Sequence, residues 1–337
     1  MNKKFLGFAF AAMILGVGAA RASAPTPLPI TIGLQTDADW LTIEAKTQHL
    51  FEKVGLKPSY IKFTAGAVMM AAAESKSIDV ATPGFVPFLA GVGNGIPWVT
   101  IGLDTVGPRG EGFVARKGSG IRTIADLRGK HIGYFRASTA QYGLFMGLKK
   151  YHVPLSSVTL LSMAPSQQVA AMRSGNIQAA EVWEPWMHTM VADAHGKIIA
   201  TEADIGVPTA ASVYAVRRHW LATHQEAARR FMRAIVMAYK EVQKNPEPVI
   251  KVFASETGIK KSWSAAIYKE AGPPDVYKWA DPDYAYSLAP GKGLQQILNK
   301  LAVFLDQQKI VPHPIDMSNI IDDSVIASVL KEHGTGK

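Results

Sequence analysis

The 337-residue chain contains no cysteine. That excludes disulfide staples, thiolate zinc and iron–sulfur sites, and a cysteine nucleophile. Charged residues make up only 19% of the chain against 48% apolar residues, a balance that excludes a disordered polymer. There is no run of Lys or Arg and no basic–aromatic stripe, so nucleic acid is not an expected partner. His-Glu-x-x-His, Gly-x-Ser-x-Gly and Walker-type loops are all missing. His188 and His195 stand seven apart without a third ligand nearby in sequence, and Met69-Met70 reads as core. These absences point away from an enzyme: no catalytic residue, metal or cofactor is expected. Beyond the first two dozen residues, no uninterrupted apolar stretch reaches the roughly 20 residues that cross a bilayer.

What is present begins with a leader. Lys3 and Lys4 precede an apolar run over 5–20, and small residues follow in Ala20-Arg21-Ala22 and Ala22-Ser23-Ala24. This is the grammar of a secretory signal peptide. Pro25 directly after Ala24 disfavours cleavage there, so residues 1–22 are expected to be removed and the mature protein exported to the periplasm. No Leu-x-x-Cys lipid-attachment signal tethers it. Loss of Lys3, Lys4 and Arg21 lowers the net charge from +9 to +6, a weak attraction for small anions.

The rest of the chain alternates strand and helix patterns. Strands are expected over 30–34, 59–63 and 78–82, and helices over 40–54 and 67–74. The order then recurs, with strands at 130–134, 158–163 and 177–182 and helices at 138–151 and 166–172. Ile132-Gly133 falls 100 positions after Ile32-Gly33, and Ile177 falls 99 after Ile78. Two βαβαβ units imply two similar α/β lobes, each with a largely parallel sheet. Extended stretches at 100–103 with 112–116, and at 212–216, are the expected crossovers. The lobes are then 27–106 plus 214–330, and 107–213. Thr223 and Glu226 form an expected capping box for a long helix whose apolar face is Phe231, Ile235, Ala238 and Val242, ended by Asn245-Pro246. A further helix over 291–308, with Leu294, Ile297, Leu301 and Leu305 in step, is expected to pack back on the first lobe.

Several segments resemble the taurine/sulfonate family of periplasmic substrate-binding proteins of ABC transporters, whose wider circle includes nitrate- and thiamine-precursor-binding relatives. They are Gly118-Ser119-Gly120-Ile121, Ala125-Asp126-Leu127-Arg128-Gly129-Lys130, Ser138-Thr139-Ala140-Gln141-Tyr142, Arg173-Ser174-Gly175-Asn176-Ile177 and Val182-Trp183-Glu184-Pro185. Gly206-Val207-Pro208-Thr209 looks like the taurine branch, whereas Lys278-Trp279-Ala280-Asp281-Pro282 matches less distinctly. The resemblance covers about 28–250. It implies a bilobed type II periplasmic-binding-protein fold, a monomer that closes on its ligand about two crossover segments, and delivery to a permease driven by a separate ATPase.

Ligands of open parallel sheets bind at the carboxyl ends of the strands. Candidate contacts therefore follow strands. Ser138 and Thr139 open a helix whose free N–H groups favour an anion, though Ser138 can also be a plain cap. Arg136 can add charge. Gln35 and Asp37 occupy the equivalent place in the first lobe. Gly84 permits close backbone approach, and Phe85 can form an apolar wall. Trp183 can cover an alkyl chain and Glu184 can meet an ammonium. Glu111 and Thr209 lie near the crossovers. The expected ligand is a small organic anion, taurine or another alkanesulfonate. The alternatives are an aromatic carboxylate, nitrate or a thiamine-precursor-type heterocycle. An exported enzyme on the same fold is the alternative of another class.

Overall fold

A computed structural model of the chain describes residues 26–35 and 39–332. The expected leader lies outside the described residues, as does Asp37. Ten strands are described: β1 (Leu28–Gln35), β2 (Leu56–Phe63), β3 (Val80–Ala81), β4 (Trp98–Val106), β5 (Glu111–Arg116), β6 (His131–Tyr134), β7 (Thr159–Ser162), β8 (Ala179–Trp183), β9 (Gly196–Thr201) and β10 (Ala211–Arg217). They form two five-stranded sheets, ordered β2-β1-β3-β10-β4 and β7-β6-β8-β5-β9. In each, the first three strands run parallel, and the fourth enters antiparallel: β10, returning from beyond the second lobe, in one, and β5, the strand that opens the second lobe, in the other. The bilobed α/β architecture read from the sequence is therefore present.

The repeat spacing has a physical cause. Ile32-Gly33 pairs with Val80-Ala81, and Ile132-Gly133 pairs with Ala179-Ala180, at the same place in each sheet. A Cβ on Gly33 would come within 3.0 Å of Ile78 Cδ1, and one on Gly133 within 2.7 Å of Ile177 Cδ1. Each glycine thus makes room for an isoleucine that plugs the turn before the third strand.

Burial follows the pleat. Along β5, Phe113 and Ala115 join the core on one face of the second sheet while Val114 joins the other. The first lobe has the larger core, because the C-terminal helices pack onto it. Helix Gln225–Lys244 buries Phe231, Ile235, Ala238 and Val242, and helix Gly293–Gln307 buries Leu294, Leu301 and Leu305. The C-terminal segment also reaches across to the second lobe. The Phe304 ring meets Tyr142 and Phe145 edge-on at 4.9 and 5.7 Å, and Tyr286 Oη donates to the Pro208 carbonyl. Among the described residues no helix is long and apolar enough to cross a membrane.

Two local expectations are corrected. The helix expected over 40–54 is broken into Trp40–Thr47 and Leu50–Lys53, with His49 left-handed at φ 52°. The break turns Leu50 and Phe51 into the core, where Phe51 stacks on Phe231 at 5.4 Å. The Thr223–Glu226 capping box does not form. Thr223 closes the preceding helix, its Oγ1 donating to the His219 carbonyl, and Glu226 accepts instead from Arg229 and Arg230.

Candidate functional site

The carboxyl ends of the parallel strands in both lobes face one cleft holding about 620 Å³ of empty space, part of it open to solvent. Three helices begin on its lining. Helix Gly66–Glu74 follows β2 and presents Ala65, Gly66 and Ala67. Helix Phe85–Gly93 follows β3 and presents Gly84 and Pro87. Helix Thr139–Lys150 follows β6 and presents Ser138 and Thr139. The first turn of a helix has N–H groups with no intrahelical partner and carries the positive end of the helix dipole. The lobes approach closely here: a Cβ on Gly84 would sit 3.4 Å from Thr139 Cγ2 across the cleft.

Seven sequence candidates come together on this lining: Gln35, Gly84, Glu111, Ser138, Thr139, Trp183 and Glu184. Their side chains have distinct commitments. Ser138 Oγ donates to the Phe135 carbonyl at 2.6 Å and accepts from Gln141 N, so its hydroxyl is a cap. Thr139 Oγ1 donates to Glu111 Oε1 at 2.8 Å. Glu184 pairs with His188 Nδ1 at 2.6 Å. Burial raises the Glu184 carboxyl, partly offset by His188; burial lowers His188, but Glu184 holds it above its ordinary value. Trp183 meets Phe135 edge-on and leaves a thin edge at the cleft.

The other candidates lie elsewhere. Phe85 is fully buried in the first-lobe core, so the apolar wall comes from Ala65, Pro87, Ala210, Ala211 and Ala271. Arg136 is exposed and off the lining. Thr209 is buried behind the cleft, donating to Glu202 Oε2 at 3.0 Å. Among the described residues that line the cleft there is no Lys or Arg. The described lining therefore carries no formal positive charge.

Behind each side of the cleft lies a group of buried acids. In the second lobe, Glu111, Glu181 and Glu202 bring one carboxyl oxygen each to within 4.8 Å of one another. Burial, reinforced by the neighbouring carboxylates, pushes Glu181 and Glu202 well above the usual range. In the first lobe, burial and then Asp104 do the same to Asp39. Ser212, on the lining, donates to Asp104 Oδ2 at 2.8 Å.

The model of the NMT1-like family matches residues 21–252. The chain belongs to the NMT1-like family. The family resemblance carried by the motifs around 118–142 and 173–185 holds. Among relatives, the taurine-binding periplasmic protein of Escherichia coli K12 is 25% identical over 224 residues, 66% of this chain and 68% of that protein. The alkanesulfonate-binding protein SsuA of Xanthomonas axonopodis pv. citri, solved with MOPS, superposes with a TM-score of 0.74 at 22% identity, covering 89% of this chain and 99% of that one. The desulfurization enzyme DSZB shares the fold too, with a TM-score of 0.68 at 15% identity over 91% of this chain and 100% of that one.

In this NMT1-like chain, sequence reasoning missed Gly66, Ser212, Ala271 and the acids Glu181 and Glu202. Glu181 had a signal, a single carboxylate inside the apolar run Ala179-Ala180-Glu181-Val182-Trp183. Gly66 had none: only the fold shows that a Cβ there would meet Pro87 and Gln35 at about 3 Å. Ala271 reaches the cleft from 160 positions beyond Glu111, and no local pattern marks it.

Proposed function

We propose that the protein is the substrate-binding component of an ABC importer and captures a small organic anion, an alkanesulfonate such as taurine, between its lobes. The observation that carries this is the convergence of three helix starts on one cleft whose described lining has no Lys or Arg. A sulfonate spreads its charge over three oxygens, which suits several N–H donors arriving from different directions. The alanine-rich wall and Trp183 cover a short alkyl part. Glu184 is the acceptor for a ligand amine, which favours taurine over a plain alkanesulfonate. The name of the Escherichia coli relative and the SsuA likeness support the same ligand class.

The lobes read from the sequence are 27–106 plus 214–330, and 107–213; the stretches 100–103, 112–116 and 212–216 expected as crossovers are instead sheet strands, so closure runs about the connections 107–110 and 206–210. The exported monomer then presents the closed face to a permease powered by its ATPase. Calorimetry on the mature chain tests this directly. One-to-one heat with taurine or short alkanesulfonates is expected; silence with all of them contradicts the reading, and a thermal-shift panel with phthalate, nitrate and pyrimidines then identifies the other class.

The DSZB likeness is the reason to weigh an enzyme. Against it, the chain has no cysteine to serve as a nucleophile, and the relatives it resembles carry binding-protein names. Mass spectrometry of a bound sulfonate after prolonged incubation is expected to return it unchanged; a desulfonated product contradicts the binding-protein reading.

A further inference from the structure

We propose that the cleft captures its anion together with a proton, which the buried Glu111, Glu181 and Glu202 hold behind Thr139. The proposal rests on the anion-capture reading and adds a second bound species to it.

The three glutamates come from β5, β8 and the short helix Glu202–Ile205, and each is at most 2% exposed. Among the described residues, both carboxyl oxygens of Glu181 and Oε1 of Glu202 find no hydrogen-bond partner. The remaining Glu202 oxygen accepts from Thr209. Among the described residues, the groups facing the cluster from packed elements are neutral or acidic. Helix Thr139–Lys150 contributes Thr139 and Tyr142, and its Gly143 lies where a Cβ would be 2.3 Å from Glu202 Oε1. Tyr286 faces Glu202 from the C-terminal segment. Arg109 and Lys150 are taken up at the exposed end of Glu202–Ile205, by the Asp204 side chain and carbonyl respectively. Three ionised carboxylates in this enclosure repel one another and lack solvation, so the group retains shared protons.

Thr139 and Glu111, both on the lining, connect that group to the cleft. A hydroxyl has one proton to donate and two lone pairs. With the facing Glu111 oxygen ionised, the Thr139 proton points inward and lone pairs face the cleft. With a proton on that oxygen, Glu111 donates to Thr139 Oγ1 and the Thr139 proton turns toward the anion. Anion and proton therefore favour each other, and the coupling is reciprocal. An arriving anion makes the cluster harder to deprotonate, so binding takes up protons and strengthens as pH falls through the titration of the cluster. The first lobe repeats the device: Ser212 on the lining donates to Asp104, which neighbours the buried Asp39.

The test is calorimetry of the mature chain with taurine and ethanesulfonate, in pairs of buffers with different ionisation heats, at pH 6–8. Carbon-13 spectra of the labelled glutamate carboxyls are recorded alongside, with and without ligand. The expected result is uptake of up to about one proton per anion, an affinity that rises up to about tenfold per pH unit lowered, and a glutamate carboxyl still protonated at pH 7. Glu181→Gln, which fixes a neutral amide in the group, is expected to reduce the uptake by at least half. Sulfonate binding with no proton uptake, and every glutamate titrating below pH 5, overturns the proposal while leaving the proposed function intact. An equimolar divalent cation in the purified protein also overturns it, because metal then balances the charge. Absence of any sulfonate heat contradicts the proposed function and the co-capture with it.

Discussion

At the residue scale, the site is governed by where each hydroxyl sends its proton. Ser138 spends its hydroxyl on its own helix, whereas Thr139 sends its proton to Glu111, with both residues on the cleft lining. Thr139→Val keeps the shape and removes the donor. It is expected to weaken sulfonate binding by about tenfold or more, the scale of a hydrogen bond to a charged group; an unchanged Kd by calorimetry would remove Thr139 from the site. Two ionised carboxylates 4.8 Å apart repel by about 3 kcal/mol at an effective dielectric near 20. The glutamate cluster therefore tolerates little crowding. Gly143→Ala improves intrinsic helix propensity by about 1 kcal/mol but places a methyl group against Glu181 and Glu202. The steric term dominates, and a net loss of about 1–3 kcal/mol is expected in thermal melts; a stabilised variant would show that the acids have room to move. Placement on the cleft was legible where position after a strand defines it, as for Gly84, Thr139 and Trp183. It was not legible where tertiary burial decides, as for Phe85, which the first-lobe core takes entirely.

At the element scale, the strand order and the helix starts are what the sequence pattern carried best. The repeated Ile-Gly pair has a structural basis in the isoleucine plugs at Ile78 and Ile177, which is why the spacing survives although the surrounding residues differ. Capping was read less well. Thr223 matched the spacing of a box, but the helix Arg218–Thr223 abuts the next one and claims the hydroxyl first. The break at His49 was hidden because apolar spacing continues through it, from Ile43 to Leu50 and Phe51. Helix Gly293–Gln307 has a second role beyond completing the first-lobe core, since Phe304 touches Tyr142 and Phe145 on the helix that starts at the cleft. Phe304→Ala removes the edge-on contacts to Tyr142 and Phe145 that join that helix to the C-terminal segment. A loss of about 3 kcal/mol is expected, together with a larger stabilisation by saturating ligand than in the parent, if closure then has to be supplied by the ligand. A variant that melts like the parent contradicts the bridging role.

At the scale of the whole molecule, two sheets of the same order share one cleft, and acids lie buried on both sides of it. Asp39, Glu181 and Glu202 are all held above their ordinary values, first by burial. A carboxyl raised on folding contributes stability that is full below the unfolded-state value and lost as pH rises through the folded-state value. Melting temperature is therefore expected to decline from about pH 5 upward, with Glu181→Gln flattening the slope; a curve that climbs steadily to pH 9 contradicts the buried-acid account. Glu226 and Glu256 act in the other direction, since arginine or lysine partners lower them and their contribution is lost in acid. The central claim is that backbone amides at helix starts grip the anion. A crystal structure with 2-bromoethanesulfonate, located by its bromine anomalous signal, tests it most directly. The account predicts sulfonate oxygens within about 3 Å of the backbone nitrogens at the starts of helices Phe85–Gly93 and Thr139–Lys150. A sulfonate seated on Arg136, or on any lysine or arginine outside the cleft, would contradict it.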